Sequence, residues 1–161
     1  MNVCTACPRN CSVDRTKAQG ICGMNENITA ARAALHFWEE PCISGVKGSG
    51  TVFFSGCALK CVYCQNSKIS CDCFGKELSP RELMLVFDNL IEQGAHNINL
   101  VSPTHFAPML AEVLRVYKSK VPVVYNSSCY EKVETLRSLE GLVDIYLPDL
   151  KYYDSAVSKK Y

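Results

Sequence analysis

Cys57, Cys61 and Cys64 lie in the stretch Gly56-Cys57-Ala58-Leu59-Lys60-Cys61-Val62-Tyr63-Cys64-Gln65-Asn66, directly after the apolar run Thr51-Val52-Phe53-Phe54-Ser55. Three thiols crowded into so short a loop cannot bridge one another without leaving an odd one, so a disulfide reading is awkward. A shared metal or cluster fits better. Tetrahedral structural zinc takes four protein ligands, whereas an iron-sulfur cube held by three cysteines keeps one iron free for an exogenous ligand. An open metal position implies chemistry.

A second group opens the chain. Cys4, Cys7, Cys11 and Cys22 are spaced by two, three and ten residues and can complete a tetrahedral shell, with Gly20 and Gly23 flanking Cys22 where the backbone must turn tightly. Zinc and a second iron-sulfur cluster both fit, and four unligated buried thiols are the plain alternative. Cys42 stands alone in its stretch and is expected to be a small buried residue. Cys71-Asp72-Cys73 is too tight for an unstrained disulfide and reads as a pair of exposed loop thiols. Cys129 stands where a glycine would be expected after Ser127-Ser128.

The remaining composition sets the partners. With a net charge of +1 and 20% charged residues, the chain offers no strong field to nucleic acid or an anionic membrane, and small molecules or a protein are the expected partners. No apolar run approaches the roughly 20 residues that span a bilayer, and Met1-Asn2-Val3-Cys4 does not begin a signal peptide. A cytoplasmic location is therefore expected. Eleven cysteines in a reducing compartment point to metal, an exported disulfide-rich domain being the alternative.

These groups need elements to place them. At 161 residues the chain suits a single core. Residues 28–38 have no clean period and read as a strand or a short helix, and Gly48-Ser49-Gly50 marks a boundary between a cysteine-rich extension, 1–50, and a core, 51–161. Beyond it strands and helices alternate. Thr51 to Ser55 is the first strand. Ser79-Pro80-Arg81-Glu82 forms a capping box before a helix whose face is Leu83, Met84, Val86, Phe87, Leu90 and Ile91, stopped by Gly94. Asn97 to Val101 is the second strand, and a helix through Met109, Leu110, Val113, Leu114 and Tyr117 follows. Val121 to Tyr125 is the third, followed by a short helix at Val133, Leu136 and Leu139 that stops at Gly141. Leu142 to Leu147 is the fourth, and Asp154 begins a fourth helix.

Four such units predict an α/β fold, a parallel sheet with outer helices. Polar residues gather after each strand: the cysteine loop, then Ser102, Thr104 and His105, then Asn126 and Ser128, then Asp149 and Lys151. The carboxyl edge of such a sheet is where ligands bind, so these residues are expected to converge on one site. His36 reads as a hydrogen-bonded core residue and His96 as solvated.

Cys57, Cys61 and Cys64, with Tyr63 before the last cysteine, resemble the signature of the radical S-adenosylmethionine (SAM) enzymes. The cysteine-rich opening through Cys7-Pro8-Arg9-Asn10-Cys11, Glu39 to Gly45, Gly56 to Asn66 and Tyr146 to Lys151 resemble proteins likened to pyruvate formate-lyase activating enzymes. The resemblance implies a partial (β/α)6 barrel of about four units, a fragment or split product that an additional carboxyl-terminal piece would complete. It makes Cys57, Cys61 and Cys64 ligands of a 4Fe-4S cluster whose free iron chelates SAM. Tyr63, Gln65 and Asn66, with Ser102, Thr104, His105, Asn126, Asp149 and Lys151, would contact SAM. A Gly-Gly-Glu type segment that commonly follows the second strand is replaced by Ser102-Pro103-Thr104-His105. The implied activity is that of an anaerobic oxidoreductase: an electron from flavodoxin or ferredoxin cleaves SAM to a 5'-deoxyadenosyl radical, which abstracts hydrogen from a small molecule or a glycine on a partner polypeptide. A truncated metal-binding scaffold or electron-transfer module is the competing reading.

Overall fold

The computed structural model describes residues 3–160, so Met1, Asn2 and Tyr161, and the expectations that include them, lie outside what is described. The elements in chain order are β1 (Thr29–His36), α1 (Pro41–Ser44), β2 (Ser49–Phe54), α2 (Ser67–Ser70), β3 (Lys76–Glu77), α3 (Pro80–Glu92), β4 (Ile98–Val101), a 3-10 turn (Thr104–Phe106), α4 (Ala107–Val116), β5 (Val123–Ser127), α5 (Val133–Ser138), β6 (Ile145–Pro148) and α6 (Ser155–Lys160). They build one mixed sheet of order β3-β1-β2-β4-β5-β6. The four expected strands are β2, β4, β5 and β6, and neighbours among them pair in parallel.

The sheet is not purely parallel. Residues 29–36, whose sequence left strand and helix open, pair antiparallel with β2, and the short β3 pairs antiparallel with β1. The 50/51 boundary thus runs through a strand, β2, whose antiparallel neighbour belongs to the amino-terminal part. Cys22, Met24 and Ile28 join Val52, Phe54, Leu83, Phe87 and Leu100 in the main core, so both parts share apolar packing.

Local signals explain the helices. Ser79 accepts from the Glu82 amide while the Glu82 carboxylate accepts from the Ser79 amide, a completed capping box with Pro80 in the first turn. The period of α3 then buries Leu83, Phe87 and Leu90 against Ile98 and Leu100. Each such side chain contributes about 1.5–3 kcal/mol of burial. Gly94 takes φ +93 just past the helix end, as an αL stop requires. Two boundaries move from the sequence reading. Pro122 lacks an N–H and only its carbonyl joins the ladder, accepting from Ile98, so β5 starts at Val123. Leu142 and Val143 pack into the core, and Asp144 pairs with the Val123 backbone through both its amide and its carboxylate, which delays β6 to Ile145.

Alternation along the strands gives the sheet two faces. Val52, Leu100 and Ile98 pack in the main core. Thr51 is in register with Asn99, and both are fully buried. Asn99 has neither its amide nitrogen nor its amide oxygen hydrogen-bonded. Buried polar groups without partners are costly and uncommon.

Candidate functional site

The cysteine loop leaves β2 through Ser55 and Gly56. Gly56 has φ +78, and a Cβ there would lie 2.5 Å from Met24 Cγ and 2.6 Å from the Cys22 carbonyl oxygen, so only glycine fits. The Gly56 amide donates to Ile69 O and the Cys57 amide to Cys22 O at 3.2 Å. Lys60 turns the loop at φ 51, and the Cys64 amide closes on Cys61 O. All three thiols are half-buried and free. Leu59 N–H points at Cys57 Sγ (3.4 Å), and the Ser70 hydroxyl donates to Cys64 Sγ (3.3 Å) while lying 3.7 Å from Cys71 Sγ. Hydrogen bonds to the sulfurs are one of the features that tune a bound cluster. Among the described residues no three His, Cys, Asp or Glu side chains are gathered closely enough to hold a metal ion. The donor set nevertheless suits a thiolate-ligated cluster: three accessible sulfurs on one loop, two with hydrogen-bond donors aimed at them.

The loops after β4 and β5 abut this one. Ser102 (φ 54) donates its amide to Asn126 O, tying the ends of β4 and β5 together. Thr104 is buried and donates to Glu131 Oε1 at 2.5 Å; Ser127 donates to Glu131 Oε2 at 2.6 Å. His105 is buried and its Nε2–H donates to the Ser55 carbonyl at 2.7 Å, which fixes the tautomer. Burial, aided by Arg15, holds its pKa down at about 4 despite that hydrogen bond, so the imidazole is neutral. Cys57, Ala58, Leu59, Ser102, Thr104, His105, Ser128 and Tyr130 enclose a gap of only about 10 Å³, room for one water.

The other predicted residues are placed differently. Asn126 donates to Glu39 Oε1 at 2.6 Å, and the same carboxylate lies 3.0 Å from His36 Nδ1 through its other oxygen; His36 is half-exposed rather than in the core. His96 is solvated as expected, its Nε2 accepting from the Lys47 amide. Tyr63, Gln65 and Asn66 are exposed, with the Tyr63 ring edge-on to Tyr152 at 6.2 Å. Asp149 and Lys151 are exposed and bond to each other. Cys42 is exposed, a correction to the buried expectation: in the single turn α1 it is Ile43 and Ser44 that face inward. Cys71 is exposed; Cys73 is half-buried, its sulfur against Gly23. Cys129 takes φ 59, the conformation for which glycine is suited.

The amino-terminal thiols are neighbours. Cys11 Sγ and Cys22 Sγ each lie 3.4 Å from where a Gly20 Cβ would stand. Burial raises the Cys7 and Cys22 thiols above the ordinary cysteine value, and nearby Cys4 raises both further. Burial also acts upward on Cys11, but the backbone at Ile21 and Val13 and the Cys4 thiol outweigh it and bring Cys11 down. All eleven cysteines are free in this structure.

Four residues that bond around the candidate site were given no role by the sequence reading. Glu131 follows β5 and could have been found by extending the search four residues past Ser127. Glu39 lies before β2 in a stretch that carries the resemblance, which assigned it no role. Arg9 donates from Nε to Ala58 O at 2.8 Å, and the buried Arg15 donates to the carbonyls of His105 and Asn25. Nothing local in the sequence forecasts those long-range contacts.

A sheet with parallel β-strand ends facing a three-thiol loop defines an α/β protein with a candidate cluster site at its carboxyl edge. Residues 51–161 match the model of the radical SAM superfamily, and the chain belongs to that superfamily. It is 33% identical over 158 residues to an uncharacterized protein of Methanocaldococcus jannaschii, an alignment covering 92% of this chain and 45% of that protein. The chain thus spans about half the length of the curated relative it matches. No solved structure matches it significantly. No described helix is long and apolar enough to cross a membrane.

Proposed function

We propose that Cys57, Cys61 and Cys64 ligate a 4Fe-4S cluster and that SAM binds beside it at the ends of β2, β4 and β5. The family match over residues 51–161, with the three-thiol loop at the end of β2, carries this reading. When bound, the cluster and SAM supply a 5'-deoxyadenosyl radical by one-electron cleavage of the sulfonium, for hydrogen abstraction.

The chain's own residues have defined tasks. Leu59 N–H and the Ser70 hydroxyl stabilise negative charge on Cys57 and Cys64. Tyr63 offers an exposed flat ring for the adenine, with Gln65 and Asn66 beside it. Glu131 is the carboxylate at the edge, positioned by Thr104 and Ser127, and takes the SAM ammonium that the absent Gly-Gly-Glu type segment would otherwise hold. Neutral His105 anchors the Ser55 carbonyl beneath the loop. Asn126, Asp149 and Lys151 complete the edge on the β5–β6 side. Cys4, Cys7, Cys11 and Cys22 hold a second metal, zinc or iron-sulfur. The finer assignment is activase-like chemistry in a cytoplasmic, anaerobic setting, driven by flavodoxin or ferredoxin, on a small molecule or a glycine of a partner polypeptide.

A second reading, a metal-binding module without turnover, is favoured by the gap of about 10 Å³ between the loops, which has no room for SAM unless they part. One experiment separates the two. After anaerobic reconstitution with iron and sulfide and reduction by dithionite, the radical reading expects 5'-deoxyadenosine from SAM and an altered cluster EPR spectrum on adding SAM. A cluster whose spectrum ignores SAM and yields no product would leave the module reading.

A further inference from the structure

Two cysteine groups 35 residues apart in sequence, ending at Cys22 and beginning at Cys57, meet in the fold. The Cys22 carbonyl accepts the Cys57 amide at 3.2 Å, while the Cys22 side chain faces Cys11 across Gly20. One residue thus presents its sulfur to the amino-terminal thiols and its peptide to the first ligand of the other group. A second contact grips the next residue: Arg9, between Cys7 and Cys11, donates to Ala58 O at 2.8 Å. A third packs behind them, where Cys73 Sγ rests on Gly23 and lies 3.8 Å from the Cys22 carbonyl. Gly56 leaves no slack, because its backbone approaches the Cys22 carbonyl more closely than any side chain would allow. Hydrogen bonds that span so much chain hold only as well as both ends are ordered, and short cysteine-rich segments are ordered mainly by their metal.

We propose that the amino-terminal cysteine segment is a metal-responsive clamp on the Cys57 loop. A metal ion bound by Cys4, Cys7, Cys11 and Cys22 fixes the Cys22 peptide and Arg9, and these fix the Cys57–Ala58 backbone, so occupancy of the first site sets the geometry of the second. Arg9 is a positioning residue; it touches the loop backbone, not a reacting atom. The inference rests on the metal-site reading of the four amino-terminal thiols and is independent of SAM chemistry.

The test uses the full chain with Cys61→Ala and Cys64→Ala, so that the Cys57 loop cannot hold a cluster, and zinc alone as the probe. Zinc is expected to bind one per chain and to slow hydrogen exchange in the 56–59 segment about tenfold, as local opening becomes rarer. Adding Cys11→Ser should abolish both effects. Adding Arg9→Ala should leave zinc binding intact and remove most of the slowing, and Arg9→Lys should restore part of it. Stoichiometric zinc with unchanged exchange at 56–59 would overturn the clamp, and absence of stoichiometric zinc would overturn the site on which it rests. Failure of the intact chain to cleave SAM, with these exchange results standing, would count against the radical reading alone.

Discussion

His105 is neutral in the fold because burial outweighs its hydrogen bond to Ser55 O, and this has a consequence for acid stability. Its pKa falls from the ordinary 6.5 to about 4, so between those values the unfolded chain binds the extra proton and the folded chain does not. The contribution is fully present above about pH 6.5 and is lost as pH falls toward 4. Between pH 7 and pH 4.5 it costs about 2–3 kcal/mol, the linkage value of a shift of this size. Urea unfolding of the metal-free chain at the two pH values measures it, and His105→Gln should remove that share of the pH dependence. An equal loss in wild type and variant would show that another group is responsible. Glu131 belongs to the same scale. Glu131→Gln keeps the size of the side chain but removes the charge, so SAM affinity of the reconstituted protein should fall at least about tenfold, as losing a charged hydrogen bond implies. Cluster content measured by iron analysis should stay unchanged. A variant that loses cluster and SAM together would place Glu131 in the fold instead.

At the scale of elements, what the sequence made legible was whatever local chemistry decides. The capping box at Ser79 and Glu82, the stop at Gly94 and the apolar face of α3 are each written in a few neighbouring residues, and all appear in the fold. β1 was not legible in this way. Its run Thr29-Ala30-Ala31-Arg32-Ala33-Ala34-Leu35-His36 is rich in alanine, which favours helix over strand, and it becomes a strand because β2 offers its edge. Tertiary pairing overrode propensity there. The candidate site divides along the same line. Strand-end residues Thr104, His105 and Asn126 were findable from the alternation of elements, whereas Glu39 meets Asn126 across 87 residues of chain and Arg9 meets Ala58 of the cysteine loop across 49. The capping box also gives this scale its prediction. Ser79→Ala removes the hydroxyl that accepts from Glu82 N and should cost about 1 kcal/mol, seen as a lower thermal midpoint with unchanged metal content. No change would mean that packing of Leu83 and Phe87 alone holds the first turn.

For the whole molecule, the sheet of the described residues ends in the short β3 beside β1 on one side and in β6 on the other. On one side the two-residue β3 pairs with only Thr29 and Ala30 of β1; on the other, β6 pairs with β5 and presents Ile145 and Tyr146 with 37% and 43% of their surface exposed. Leu150, just beyond, is 76% exposed. A strand edge with unpaired backbone groups and apolar side chains is a template for another strand, and natural proteins cover, charge or shorten such edges. β6 carries no charged side chain between Ile145 and Pro148, and Asp149 and Lys151 neutralise each other immediately after it. Since the chain spans 45% of its matched relative, that relative has further sequence in which a covering strand can lie. The 161-residue chain studied alone is therefore expected to associate through β6 as its concentration rises, in sedimentation velocity or light scattering. Tyr146→Lys should weaken that association at least about tenfold by placing a solvated charge on the edge, with little change in thermal midpoint because Tyr146 is already half exposed. A wild-type chain that stays monomeric across the same concentrations, or a lysine variant that associates equally, would locate the contact elsewhere than β6.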